Sequence, residues 1–84
     1  MKDDTAKPDS SLLSDDKTYK LIGERIKQLR KDAGFSNYEN FAFEHDLNRV
    51  HYGRMERGIN FTMKSLLKIL AIHKMSLKDF FEGV

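Results

Sequence analysis

The stretch NRVHYGRMERG, residues 48–58, carries three arginines, one glutamate and an internal glycine in a segment whose pattern predicts a single short helix. At about 100° per residue, the side chains of that helix divide into two arcs. One arc combines basic side chains with the bare glycine: Arg49, Val50, Gly53, Arg54 and Arg57. The other arc contains His51, Tyr52, Met55 and Glu56. We therefore expect the second arc to be buried and the first to contact another surface.

Gly53 weakens the helix that contains it, since glycine in a helix interior costs about 1 kcal/mol relative to alanine. Close approach of another surface to the backbone is a common reason for such a glycine. The arginines around it predict that this surface is anionic. Gly53 is therefore interpreted as the point of closest approach.

The composition limits the class of protein. A chain of 84 residues without cysteine can bury one modest core, but it has neither disulfides nor thiolate metal sites. No apolar run approaches the roughly 20 residues that span a bilayer, and the N-terminal residues lack the apolar core of a secretion signal. The expected location is the cytoplasm, with no role in a membrane.

Charge is distributed unevenly, although the net charge is only +2. Residues 1–17 carry three lysines and five aspartates, whereas residues 18–84 carry twelve basic and eight acidic residues. A basic domain after an acidic segment is a weak indication of a polyanionic partner. Charge alone favours an ordinary solvated surface.

Residues 1–16 are predicted to form a flexible acidic arm, because they contain too few apolar side chains to repay the entropy of ordering. Residues 17–84 form the folded domain. The first helix is expected within residues 15–34, and Gly34 occupies the usual stop position. Its apolar residues at helical spacing are Ile22, Ile26, Leu29 and Ala33.

Four more short helices follow, and no strand. Asn37 and Asn48 are the expected N-caps of the second and third helices, and Asp46 and Leu47 form the turn between them. The second helix has Phe41, Ala42 and His45 on one face.

Thr62 and Ser76 are the expected N-caps of the last two helices, with Asp79 completing a shortened capping box in the fifth. The fourth helix has a broad apolar side that should be central to the core, formed by Leu66, Leu67, Ile69, Leu70 and Ile72. The fifth should dock as a lid through Leu77, Phe80 and Phe81. The prediction is an all-α fold of five short helices.

Two short helices, 37–45 and 48–57, joined by about three residues, form the arrangement of a helix-turn-helix, whose second helix enters the DNA major groove. The motifs IGERIKQLRKDAG, ENFA, RMERG and SLLKILAIHKMSLKDFF then extend the pattern over residues 22–81. In order and spacing, they resemble the phage-repressor, Cro-like regulators of the xenobiotic-response-element type. The resemblance implies a lambda-repressor-like fold and a transcriptional regulator that binds specific duplex DNA. Repression is expected, since the chain has no room for a dedicated activation domain.

Members of this family usually bind as homodimers to pseudo-palindromic sites, with recognition helices about 34 Å apart. The resemblance therefore implies a homodimer. We expect the fifth helix, around Phe80 and Phe81, to provide the contact between the two copies. The alternative is that both phenylalanines belong to the core.

Base recognition is predicted for the open arc of the third helix. Arg49 and Arg54 are long enough to reach guanine O6 and N7, and Val50 could pack against a thymine methyl group. Gly53 would let the helix lie deep in the groove. The alternative for each arginine is a solvated surface residue.

Contacts with the DNA backbone are predicted for a second set of residues, since a long side chain at a helix end and a helix N-terminus both hold phosphates. Some of these roles are implied only by the resemblance, including that of Tyr38, which stands where the family often has a glutamine. The set consists of Tyr38, Asn48, Arg57, Asn60, Thr62 and Lys64.

The chain departs from the family pattern at His45, which replaces a leucine, and at Asp46 and Lys74, which replace glycines. Aspartate tolerates a left-handed turn better than most residues, whereas Lys74 predicts a different end for the fourth helix. In the family, an ion pair joins the first helix to the third at the positions of Arg30 and Glu56. We therefore assign these two residues to the fold.

Catalysis is not expected. The three histidines have no metal-ligand spacing, and the chain has no phosphate-binding loop or nucleophile motif, so neither metal nor cofactor is predicted. The alternative function is a helix-turn-helix adaptor, or an antitoxin-like partner, whose N-terminal arm folds on another protein. Strong salt dependence of DNA binding would favour the regulator.

Overall fold

The computed structural model describes residues 15–84, which form five helices. These are α1 (Asp15–Asp32), α2 (Tyr38–Glu44), α3 (Arg49–Glu56), α4 (Met63–Ile72) and α5 (Leu77–Glu82). The fold of the described residues is all-α, as predicted. Residues 1–14 of the predicted arm, and with them the possible protein contact of that arm, lie outside the described residues.

Four helices begin at the predicted N-caps. Asn37, Asn48, Thr62 and Ser76 have extended backbones, and each side-chain oxygen accepts a hydrogen bond from the N–H three residues later, at 2.8–3.1 Å. Each such cap stabilises its helix by about 1 kcal/mol. The caps place the start of every helix from α2 to α5.

The first helix lies within the predicted residues 15–34. It begins at Asp15, so the last two residues of the predicted arm, Asp15 and Asp16, belong to α1. Their negative charges stabilise the first turn, because the N-terminal end of a helix dipole is positive. The helix ends at Asp32, and Gly34 then adopts a φ of +96°. The chain turns away there, and Ala33 is exposed instead of continuing the buried stripe.

The hydrophobic core draws on every helix and on the loop before α4. Its members are Ile22, Ile26, Leu29, Phe41, Ala42, Tyr52, Met55, Phe61, Leu66, Ile69, Leu70 and Phe80. The buried side of α4 is narrower than predicted, because Leu67 is 46% exposed, one turn from the exposed Met63. Phe80 is fully buried, whereas Phe81 is 41% exposed.

Helix α1 approaches the C-terminal end of α3 so closely that only glycine fits at the contact. A Cβ atom added to Gly23 would lie 2.7 Å from the carbonyl oxygens of Met55 and Glu56 and from the backbone nitrogen of Gly58. These neighbours are all backbone atoms, so no side-chain rotation can relieve the overlap. Gly23 therefore sets the distance between α1 and α3.

Arg25 of α1 holds the end of α5. Its Nε donates to the carbonyl oxygen of Phe80 at 3.2 Å, its Nη2 donates to that of Asp79 at 3.4 Å, and its guanidinium lies 5.9 Å from the centre of the Phe80 ring. Carbonyls in the last turn of a helix have no partner within the helix. Arg25 supplies such a partner to the Asp79 carbonyl and a second partner to the Phe80 carbonyl, which also accepts from the N–H of Gly83 at 3.1 Å. The sequence pattern did not reveal this contact.

The two corner residues that replace family glycines both adopt left-handed backbones. The φ angles are 57° at Asp46 and 54° at Lys74. The expectation of a different end for the fourth helix is therefore wrong. The backbone N–H of Met75 still donates to the carbonyl of Leu70 at 3.0 Å, so Lys74 accepts a conformation that is costly for a residue with a Cβ.

Phe41 is the centre of an aromatic cluster that includes two histidines. The ring centres of His45, Tyr52 and His73 lie 4.4, 5.0 and 5.3 Å from that of Phe41. Nε2 of His73 is buried without a hydrogen-bond partner among the described residues. Burial lowers the pKa of His73, and the nearby His45 lowers it further, so the fold favours the neutral ring.

We expect Gly23→Ala to destabilise the protein by about 2 kcal/mol or more, because an added atom in a packed contact forces the backbone apart. Thermal or urea unfolding measures the change. The neighbouring Glu24→Ala on the exposed side of α1 is the control and should shift stability by no more than about 0.5 kcal/mol. Equal stability of the two variants would contradict the close α1–α3 contact.

Stability should fall as the pH decreases below about 6.5, since the unfolded chain then binds a proton that folded His73 resists. Urea unfolding between pH 5 and 7.5 measures the slope. His73→Phe keeps the aromatic stack and should flatten this slope, whereas the exposed His51→Gln should keep the slope of the parent. A parental slope in His73→Phe would contradict the assignment.

Candidate nucleic-acid interface

Helices α2 and α3 form the predicted helix-turn-helix. His45 ends α2, and Asp46 turns the chain with its left-handed backbone. The N–H of Leu47 donates to the carbonyl of Ala42 at 2.7 Å, and Asn48 then caps α3. The connection is short and hydrogen-bonded, so it fixes the direction in which α3 leaves α2.

The exposed side of α3 carries the predicted arginines. Arg49, Arg54 and Arg57 are exposed, and Val50 is 52% exposed. On the opposite side, Tyr52, Met55 and Glu56 are buried. The division between a basic exposed side and a buried side follows the sequence prediction, with two exceptions.

The first exception is Gly53, which is buried beneath α2. A Cβ atom there would lie 2.8 Å from Cε1 of Tyr38 and 3.3 Å from Nη1 of Arg57. The Tyr38 ring occupies the space that the sequence interpretation left open for another molecule. This interpretation of Gly53 therefore needs correction: the close neighbour of its backbone is the first residue of α2.

The second exception is His51, which was expected in the buried arc but is exposed. Its Nε2 lies 3.0 Å from Oγ of Ser65 in α4. The Thr62 hydroxyl in turn donates to the same Ser65 oxygen at 3.1 Å. This chain of contacts joins the N-terminal half of α3 to the start of α4.

The residues predicted to contact phosphates are distributed around α3. Asn48 and Thr62 use their side chains as helix caps. Tyr38 is half-buried on α2, and the other three, Arg57, Asn60 and Lys64, are exposed. Through the His51–Ser65 contact, the start of α4 with Thr62 and Lys64 lies beside α3.

A buried ion pair anchors α3 from behind. Arg30 Nε lies 2.8 Å from Oε2 of Glu56, and Nη2 lies 2.9 Å from Oε1, so the contact is bidentate. Nη1 of Arg30 also donates to the carbonyl of Phe35 at 2.9 Å. The two residues that the resemblance assigns to a pair thus lie together, only 4% and 8% exposed.

Tyr52 lies beside the ion pair. Burial raises the pKa of its hydroxyl well above the ordinary value, and the Glu56 carboxylate raises the same pKa further. The hydroxyl therefore remains protonated and neutral. Glu56 likewise raises the pKa of Arg30, so the guanidinium stays charged beside the carboxylate.

Arg49 is engaged by a residue that the sequence analysis did not single out. Its Nη1 lies 3.2 Å from Oε2 of Glu39 in the first turn of α2. The two residues are ten positions apart, so no helical periodicity could indicate the contact. Only the folding of α2 against α3 brings them together.

Two features of the described residues bear on other classes of function. Within residues 15–84, no group of three or more His, Asp or Glu side chains could hold a metal ion. None of the described helices is long and apolar enough to cross a membrane.

Comparison with known proteins identifies the family, although no protein-family model matches the chain. The chain is 33% identical over 64 residues to control protein C.MunI from Mycoplasma sp.. The matched region covers 75% of this chain and 86% of that protein. The chain is also 33% identical over 64 residues to control protein C.BamHI from Bacillus amyloliquefaciens, covering 71% of this chain and 79% of that protein.

A solved structure agrees with these relatives. The restriction-modification controller protein C.AhdI from Aeromonas hydrophila superimposes with a TM-score of 0.66 and 27% identity, over 77% of this chain and 98% of that chain. The protein is therefore a helix-turn-helix transcriptional regulator that binds DNA and is not an enzyme. Within that class, it belongs to the family of restriction-modification controller proteins.

The contact between Gly53 and Tyr38 predicts that the effect of Gly53→Ala on the free energy of unfolding depends on the Tyr38 ring, which a double-mutant cycle measures. Gly53→Ala alone should destabilise the domain by about 1–2 kcal/mol, because the Tyr38 ring must move. With Tyr38→Ala already present, Gly53→Ala should become neutral, or stabilising by up to about 1 kcal/mol, as alanine is the better helix former. Urea unfolding of the four proteins gives both values, and equal effects in the two backgrounds would show that the ring does not require the glycine.

Proposed function

We propose that this protein regulates the genes of a restriction-modification system by binding a specific duplex sequence, with α3 in the major groove. The observation that carries the proposal is the exposed basic side of α3, held on its other side by the buried Arg30–Glu56 pair. The names of the matched relatives support the choice of genes. Repression by occupying the site requires no additional domain.

Base recognition falls to the exposed side chains near the start and middle of α3. Arg49 and Arg54 offer the two parallel N–H groups that match guanine O6 and N7, and Val50 offers an apolar contact for a thymine methyl group. All three are exposed. Gly53 contributes indirectly, since it lets Tyr38 pack between α2 and α3.

The DNA backbone would be held on both sides of α3. Arg57 ends the helix, and Asn60 lies in the loop that follows. Lys64 lies in the first turn of α4, where the N–H groups add a positive partial charge. Tyr38, Asn48 and Thr62 lie at the starts of α2, α3 and α4, where unpaired N–H groups favour an anion.

A homodimer is proposed through α4 and α5. Met63 and Leu67 are exposed one turn apart on α4, and Leu77 and Phe81 are exposed one turn apart on α5. Met63 and Phe81 also line the same groove, so the two apolar stripes adjoin. Such a surface favours a protein contact. Phe80 takes no part, because it is in the core.

The cytoplasm is the proposed location, since a regulator of this class must reach the DNA that it controls. The direct experiment is selection of bound sites from a random duplex library. A homodimer with one α3 in each half-site should enrich two symmetric half-sites whose centres are about 10–10.5 base pairs apart, or a multiple of that spacing. If the selection enriches no sequence, the proposal is overturned. If it enriches only a single half-site, the homodimer is overturned.

Variants of Arg54 and Lys64 should separate base recognition from backbone contact. Arg54→Ala should relax preference at one position of each half-site, since a bidentate arginine discriminates between bases by about 1–3 kcal/mol. Lys64→Ala should weaken binding to all sequences alike and lower the salt slope by about one per lost contact.

The measurement is affinity for the selected site and its single-base variants across a salt series. Glu56→Ala is the control and should reduce thermal stability before it affects binding, because it leaves Arg30 buried without its partner. Parallel, sequence-independent losses in Arg54→Ala and Lys64→Ala would show that Arg54 does not recognise a base.

A further inference from the structure

The ion pair between Glu39 and Arg49 lies at the edge of the proposed DNA-binding surface. Glu39 is in the first turn of α2 and Arg49 is the first residue of α3. Their closest atoms are 3.2 Å apart, and the side chains of Arg49 and Glu39 are 64% and 53% exposed. A pair this exposed contributes only about 0–1 kcal/mol to stability, so its placement needs another explanation.

We infer that Glu39 is a positioning residue for base recognition: it holds the Arg49 guanidinium by one nitrogen and leaves a free edge directed to the DNA. The inference rests on the proposed function of Arg49. Glu39 would then be a determinant of specificity on α2, a helix whose other proposed role is the contact of Tyr38 with the DNA backbone.

The geometry of the guanidinium permits both contacts at once. Arginine has five N–H donors in a rigid planar fork, and the hydrogen bond to Glu39 uses Nη1. The edge formed by Nη2 and Nε therefore remains available for guanine O6 and N7. A side chain already held in one orientation loses less conformational entropy on binding, and the pair strengthens as water leaves the interface.

The negative charge of Glu39 has a second effect. A carboxylate near the phosphates opposes the approach of any duplex, whatever its sequence. Glu39 would therefore weaken binding to all DNA while favouring the base that Arg49 recognises. Both effects increase the ratio of specific to non-specific affinity, which is the quantity that a regulator needs among many competing sites.

The test compares Glu39→Ala, Glu39→Gln and a matched control, Glu44→Ala, which removes an exposed acid from the other end of α2. Affinity is measured for the selected site, for its single-base variants and for a random duplex. The base pair of interest is the one whose preference Arg49→Ala removes. Thermal unfolding of each variant accompanies the binding measurements, and the melting temperatures should match that of the parent.

Glu39→Ala should reduce discrimination at that base pair by up to about fivefold, the upper end of the effect of one exposed ion pair, and should increase affinity for the random duplex. Glu39→Gln should increase non-specific affinity similarly but retain most of the discrimination, since its amide oxygen still accepts from Nη1. In the Arg49→Ala background, Glu39→Ala should cause no further loss of discrimination.

Two results would overturn the inference, and they are distinguishable. If Glu39→Ala changes all affinities uniformly, as Glu44→Ala is expected to do, Glu39 acts only as a charge and the role of Arg49 stands. If Arg49→Ala leaves every base preference intact, Arg49 does not recognise a base, and this part of the proposed function fails together with the inference.

Discussion

The bidentate ion pair between Arg30 and Glu56 is the constraint on which the orientation of α3 depends. It joins residues 26 positions apart, and it is buried between α1 and α3. Desolvating two charges is expensive, so such a pair adds little net stability compared with an apolar contact, but a single partner left behind costs about 3–5 kcal/mol. The pair therefore specifies the orientation of α3, because an α3 rotated about its axis would bury an unpaired glutamate.

The rest of the α1–α3 contact also restricts the position of α3 relative to α1. Gly23 lets the two backbones meet without an intervening side chain, and Met55 and Tyr52 fill the core on the buried side of α3. Small changes in the inward-facing residues of α1 would therefore change the angle at which the outward-facing arginines are presented. In the proposed complex, residues remote from DNA would alter recognition by this route.

Local sequence signals predicted the fold well, because each acts within one turn of helix. The four caps are side chains that bond to backbone three residues later, and the helix period separated Arg54 from Met55 correctly. Signals that depend on tertiary contact were misjudged or missed. Gly53 was attributed to DNA because Tyr38 could not be placed over it, and Arg25 received no role because its partner carbonyl in α5 is 55 residues away.

Helix α5 has only six residues, too few to be stable in water without tertiary support. Its start is fixed by the Ser76 cap, which follows the Lys74 corner, and its end by Arg25. In the proposed homodimer, Phe81 would therefore be presented to a second copy only after α1 has folded. In the proposed homodimer, pairing of subunits would then follow the folding of each monomer.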